Sequence, residues 1–281
     1  MEGRRRRAAT LLVLLALVAC RGAPTCRAAE DSGALPNYAF AAYLGNGLYS
    51  ASGLKVQIYN LPLGVTLRHL EGRDCGIRLR LPVSLGFFDF KAVDILETGL
   101  PEGVETLSFV PGIELQFPVR GNWVLTPFLD AGAGKNSTGG QVTYIFGAGV
   151  RSQFVFHSGD FTFRLGNTLV YAGNRAPGAD LGSDFGSLVT GIDARRPLGF
   201  NVGTHRADVS LYAANYLYSN LEFRRFRADP VDVVVQYEAG FTFGTSTPPG
   251  HWIFRQVPRV GLGYRFGDGL SVVRLVLGMP F

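Results

Sequence analysis

Four histidines, His69, His157, His205 and His251, are the side chains of this 281-residue sequence best suited to carry a proton near neutral pH. Ser158 follows His157, but neighbouring residues of an extended strand point to opposite faces, so the two do not form a nucleophile–base pair. Asp180, Asp184 and Asp229 lie in loop-like stretches where acidic hydrolytic chemistry could be built, and no histidine accompanies them. There is no metal-ligand spacing, no glycine-rich phosphate loop after a strand and no nucleophile elbow. Asn136-Ser137-Thr138 matches a glycosylation acceptor and reads as a polar loop. No enzymatic activity, catalytic residue, metal or cofactor is expected.

The polar residues that recur with regular spacing are arginines on alternate positions. Arg78, Arg80, Arg151, Arg164, Arg195, Arg259, Arg265 and Arg274 share polar faces with Glu114, Asp193, Asp208, Asp232 and Glu238. Confined together, such groups either neutralise one another as a salt-bridged plug or line a narrow passage that prefers anions.

The elements that position them have a period of two. In 77–88, Ile77, Leu79, Leu81, Val83, Leu85 and Phe87 oppose Arg78, Arg80, Pro82, Ser84 and Gly86. The stretches 107–120, 141–157, 160–171, 231–244, 259–266 and 273–281 repeat the pattern, and 37–45, 53–67, 122–133, 184–196 and 205–219 are weaker examples, with a phase slip near Asn60. Roughly twelve strands of about 9–15 residues result, where about 9–11 cross a bilayer when tilted.

Such alternation suits a soluble sandwich or a transmembrane barrel. Composition selects the barrel. The polar faces mix Arg, Glu and Gln with glycine, and lysine is scarce (Lys55, Lys91, Lys135). The fold class is therefore an all-β, up-and-down antiparallel transmembrane barrel preceded by a signal peptide. Residues 1–29 carry the whole formal charge of +5: six arginines against Glu2, with 21 basic and 21 acidic residues in the remainder. The basic balance thus belongs to a leader, and nucleic acid is not an expected partner. Behind Arg4–Arg7 runs the apolar stretch Ala8–Ala19, too short to span as a helix. Its processing stays open between a signal-peptidase cut near Cys26–Ala28 and a lipobox, Leu17–Cys20, that would leave Cys20 lipidated. Residues 30–36 form a short segment, and 37–281 the barrel. Cys75 stands alone after an ordinary cut, so no disulfide framework is expected.

The sequence closes on Val273, Leu275, Leu277, Met279 and Phe281 along one expected outward face. A terminal aromatic with apolar residues at alternate positions resembles the signal that the barrel-assembly machinery reads in bacterial outer-membrane proteins. With "LPNYAFAAYLGNGLY" (35–49) and "PRVGLGYRFGDGLSVVRLVLGMPF" (258–281), it makes the chain similar to the solitary outer-membrane autotransporter-like β-barrel family, which has the autotransporter barrel without a passenger. The resemblance implies a monomeric barrel in the lipid of the cell outer membrane, with the assembly machinery as partner, and supplies no biochemical activity.

The expected lumen-lining set is Arg78, Arg80, Glu114, Arg151, Arg164, Glu238, Arg259, Arg265 and Arg274. Function divides among a plugged or narrow barrel, a small-solute, anion-preferring porin-like channel, and an adhesion or partner-binding barrel acting through outer loops such as 222–227, "EFRRFR". Short turns at 119–122 and 157–160 would face the periplasm, and 90–104, 134–140, 173–184 and 220–231 would lie outside. The stretch 245–257 is long for the periplasmic side, which leaves open a count wrong by one strand pair or a strand starting near Trp252.

Overall fold

The structure is a computed structural model, and it describes residues 42–43, 45–51, 54–72, 74–88, 106–136, 142–175, 177, 182–220, 222–223, 231–245 and 259–281. All of these fall in one compact unit, Leu35–Phe281. The leader, Cys20, Cys26, the segment 30–36 and most of the four long connections lie outside the described residues.

Twelve antiparallel staves form a closed sheet among the described residues. The first is β1 (Gly47–Ala51). The second is β2 (Leu54–Leu61) continued by β3 (Gly64–Arg68), the third β4 (Gly76–Arg80) continued by β5 (Val83–Phe88), and the fourth β6 (Thr106–Phe109) continued by β7 (Gly112–Arg120). Then follow β8 (Trp123–Asn136), β9 (Val142–Ser158), β10 (Phe161–Arg175), β11 (Gly182–Val202) and β12 (His205–Ser219). A two-residue pair, β13 (Glu222–Phe223) with β14 (Val231–Asp232), forms a separate small sheet. The last three staves are β15 (Val235–Thr245), β16 (Arg259–Gly267) and β17 (Leu270–Leu277). Closure is the pairing of β1 with β17, Leu48↔Val273 through Ala51↔Leu270, which removes the sheet's terminal edges over that length.

Proline explains why three staves are each divided. Pro62, Pro82 and Pro111 sit in the breaks, and without an N–H they cannot donate to the ladder there. The ladder resumes around them through Leu81 N–H to Leu63 O at 2.9 Å, Val110 N–H to Pro82 O at 3.3 Å and Ala131 N–H to Pro111 O at 2.9 Å.

One face of each stave is apolar and exposed. Tyr144 and Phe146 on β9, Leu169 and Tyr171 on β10, Leu211 and Leu217 on β12, Leu262 and Tyr264 on β16, and Val273 on β17 all stand on the outside. The opposite face is buried and carries the charges, among them Glu114, Asp130, Asp193, Asp208, Glu238, Arg259 and Arg265. A polar inside and an apolar outside invert the soluble arrangement and match a barrel surrounded by lipid.

Three expectations need correction. Among the described residues the first strand starts at Gly47, and of the stretch 37–45 only 42, 43 and 45 are described. Ala42 and Tyr43 are helical, and Tyr43 turns into the interior to donate to Asp130 at 3.0 Å. Phe281 is not on the outward face. Strand pairing ends at Leu277, and Gly278, at φ +89°, turns the chain back so that Phe281 packs inside against Tyr212. The count is not short of a strand pair, because β15 pairs directly with β16, Tyr237↔Phe266 through Gly244↔Arg259. Residues 246–258, with Trp252 and His251, lie outside the described residues.

The tight turn between β16 and β17 is chemically specified. Gly267 pairs with Leu270, and Asp268 and Gly269 both have positive φ, 44° and 72°. That geometry is the two-residue turn whose twist matches flanking strands, and Asp-Gly is among the pairs that tolerate it.

Candidate functional site

The alternate arginines come together inside the barrel in three networks. The first covers the third to sixth staves. Arg78 (3.6 Å), Arg80 (3.9 Å) and Arg151 (3.3 Å) converge on the Glu114 carboxylate, and Arg80 also holds Asp130 at 3.1 Å. Arg80 and Arg151 both lie over the Phe128 ring, 4.8 and 5.1 Å from its centroid, where the ring's negative face partly offsets their charge. Pairing across staves places them: Arg78 is opposite Glu114, and Arg151 opposite Thr126 two residues from Phe128.

The second network joins the ninth to twelfth staves around Glu238, which is 2% exposed. Its carboxylate accepts from Tyr212 (2.7 Å), Tyr216 (2.9 Å), Arg265 (2.8 Å) and Arg274 (3.0 Å). Arg265 also donates to Tyr218 at 3.1 Å and lies 3.7 Å above the Tyr216 ring. Tyr212 reaches one carboxylate oxygen and the other three donors share the second, and two of the four donors are cationic, which is what allows the buried carboxylate to remain charged.

The third lies towards the end of the barrel that carries the tight turns Gly121–Asn122, Gly159–Asp160 and Gly203–Thr204. Asp208 binds Arg259 and, at 3.8 Å, Arg195. Arg259 donates to Thr242 at 2.9 Å, and Arg164 stands opposite Asp193 in the β10–β11 register. Both Arg164 and Arg195 reach the Met279 sulfur.

In the first and third networks three arginines face two carboxylates, and in the second two face one. The interior described here is therefore positively biased. Every residue of the expected lumen-lining set takes part in these networks. Asp232 falls where no side chain is described. Of the outer-loop candidate 222–227, the backbone of Glu222 and Phe223 alone is described.

Two chain segments also enter the interior. Asn60 donates to the carbonyl of Ala42 at 3.0 Å, so Tyr43 reaches from the second stave to Asp130 on the fifth. Gly147 makes room for it: a Cβ there would overlap the Tyr43 hydroxyl. From the twelfth stave Phe281 reaches the seventh and eighth, its ring 2.7 Å from where a Cβ on Gly166 would stand and 2.5 Å from one on Gly191. Sequence reasoning missed Asp130 and the inward tyrosines Tyr43, Tyr212, Tyr216 and Tyr218. The usable signal was phase, since Tyr212, Tyr216 and Tyr218 share the parity of Asp208, and Asp130 that of Thr126.

The described histidines, His69, His157 and His205, do not assemble a site, and His251 lies outside the described residues. His69 and His157 are exposed near the tight-turn end, and His157 pairs with Thr162 while Ser158 pairs with Phe161. Among the described residues no cluster of His, Cys, Asp and Glu could hold a metal ion. Cys75 is not in a disulfide.

No protein-family model matches the chain, and no curated protein matches it. Among solved structures it is similar to the crystal structure of the beta domain of the Bordetella autotransporter BrkA, with 10% identity and a TM-score of 0.49 over 82% of this chain and 95% of that one. By its own strand pairing, the chain is a closed antiparallel β-barrel of twelve staves with an apolar exterior and a charged interior.

Proposed function

We propose that the chain is an integral barrel of the bacterial outer membrane, without enzymatic activity, whose interior is plugged by its own side chains. The observation that carries this reading is the pair of inward excursions: Tyr43 and Phe281 reach across the space that the three arginine networks line. Water and ions crossing the barrel would have to pass fixed, ion-paired side chains rather than an open lumen. The tight turns would face the periplasm. Before the sheet closes, an extended β17 would present Val273, Leu275, Leu277, Met279 and Phe281 on one face. That is the form in which the barrel-assembly machinery would read them, Phe281 folding inward afterwards.

A second reading, a narrow anion-preferring pore, is favoured by the surplus of arginine in each network. Its test is Arg265→Glu in planar bilayers, with a fall in the anion-to-cation permeability ratio expected. Unchanged selectivity in a conducting protein would remove it.

The membrane reading is tested by outer-membrane fractionation followed by gel migration of unboiled and boiled protein. A heat-dependent mobility shift of the outer-membrane material is the expected result. A shift-free protein in the soluble fraction would overturn it.

A further inference from the structure

The outward face of the barrel carries a row of polar side chains. Asn167 on β10 stands opposite Ser152 on β9 and Thr190 on β11, and Thr190 stands opposite Asn215 on β12. All four have the outward parity of their staves. The row crosses the apolar belt rather than edging it. Leu165 and Leu169 flank Asn167 along β10, Leu188 and Ile192 flank Thr190 along β11, and these four are exposed. On β16 the same face reads Val260, Leu262, Tyr264 and Phe266, with no polar residue among them.

The row satisfies itself only in part. Trp123 donates from Nε1 to Ser152 Oγ at 2.9 Å, and Asn215 donates from Nδ2 to the carbonyl of Gln236 at 3.3 Å. Thr190 donates from Oγ1 to Asn167 Oδ1 at 2.9 Å. The Asn167 amide nitrogen is left over. It belongs to an exposed residue, carries two N–H groups and meets no acceptor among the described residues. Hydrocarbon offers it none, and an unmet amide donor there costs free energy that a polar partner would recover.

Whatever meets this row must lie in the membrane, follow the face of a sheet and bring polar atoms to the same depth. A second copy of this chain does all three. A two-fold axis along the membrane normal leaves every residue at its own depth, so beside that axis Asn167 meets Asn167. Each amide then has an N–H to give and a lone pair on Oδ1 to receive, the Thr190 bond using the other.

We propose that β9–β12 form the interface of a homodimer within the membrane, centred on Asn167 and Thr190. The inference rests on the reading of the chain as a barrel in lipid, and it replaces the monomer that the family resemblance implies. Four staves at about 4.8 Å spacing and a belt about 25 Å tall offer each copy about 500 Å², the low end for a specific contact, so the bonds of the row decide whether it holds.

The test uses full-length protein purified from outer membranes, with the heat-dependent gel shift recorded on each sample. Donor- and acceptor-labelled batches, coupled through cysteine thiols, are mixed in phosphatidylethanolamine–phosphatidylglycerol vesicles, and energy transfer is followed as lipid is added. Wild type is expected to keep its transfer well into dilution and to lose it to excess unlabelled protein. Asn167→Leu should need about a tenfold higher protein-to-lipid ratio for the same transfer. Thr190→Val, which removes the hydroxyl that orients the amide, should shift it the same way and serves if Asn167→Leu does not fold. Val260→Leu on β16 is the control and should change nothing. Wild-type transfer that falls simply in step with dilution overturns the proposal, leaving the row to lipid or to a different membrane protein. Equal transfer in wild type and Asn167→Leu overturns it too, since any dimer would then form elsewhere. An intact gel shift without self-association removes this inference alone, whereas a missing shift removes the barrel reading beneath it.

Discussion

Arg274 donates from Nη2 to the carbonyl oxygen of Pro280 at 2.8 Å while its Nη1 holds Glu238 at 3.0 Å. One guanidinium therefore links β17, β15 and the segment 278–281 that turns inward. Arg274→Ala is expected to release that segment, with a loss of about 1.5–3 kcal/mol for the charged hydrogen bonds. Hydrogen exchange at 278–281 should accelerate, and the unboiled gel form should convert at lower temperature. Unchanged exchange there would show that the tie is idle.

Glu238 is the counter-charge of two arginines at once. Glu238→Ala leaves both without it in a buried site, a change that costs about 3–5 kcal/mol. Removing Arg265 as well should recover part of the loss, because one stranded charge goes with it. The comparison is the conversion temperature of Glu238→Ala, Arg265→Ala and the double variant. Strictly additive losses would mean that the two side chains do not act together.

The barrel itself was legible because its period is two and its apolar face is outward on nearly every stave. β10, β12 and β16 show this most cleanly, since no proline interrupts them. The phase slip near Asn60 corresponds to the break at Pro62. What periodicity could not show was where the chain leaves the sheet. Tyr43 continues an alternating stretch, yet it turns inside because Asp130 and the space beside Gly147 receive it. Phe281 continues the series Val273–Met279, yet Gly278, with positive φ, reverses the chain before it. Val233 likewise has the parity of the outward face of β15 but is buried, because the ladder starts two residues later at Val235. The arginine faces were readable from parity, whereas their partition into three networks depends on which staves curve towards one another.

Gly191 offers a steric test of the inward Phe281. Gly191→Leu is expected to expel the ring and destabilise by about 1–3 kcal/mol, the usual penalty of overpacking. Gly121→Ala, in a turn where a Cβ meets nothing within 4 Å, is the matched control and should change nothing. Equal conversion temperatures for the two variants would contradict the placement of Phe281.

Asp268 gives a pH dependence outside the spanning staves. Its carboxylate accepts from the backbone N–H groups of Val235 (2.5 Å) and Val234 (2.8 Å), which hold its pKa below the ordinary range. A depressed folded value means that the stabilisation is complete above about pH 3.9 and is lost as pH falls through the folded value. Asp268→Asn keeps the left-handed backbone and removes the charge. The wild type should convert at a higher temperature than Asp268→Asn by the same margin from pH 8 to pH 5, with the margin shrinking below pH 4. A margin that persists at pH 2.5 would exclude the charge as its source.

The central claim, that the barrel blocks its own lumen, is tested most directly by recording wild type and Tyr43→Ala side by side in planar bilayers, each first shown to be folded by its gel shift. Wild type is expected to be silent, and Tyr43→Ala to show discrete conductance steps, because its side chain no longer reaches Asp130 across the interior. Wild-type steps as large as those of the variant would contradict the plug.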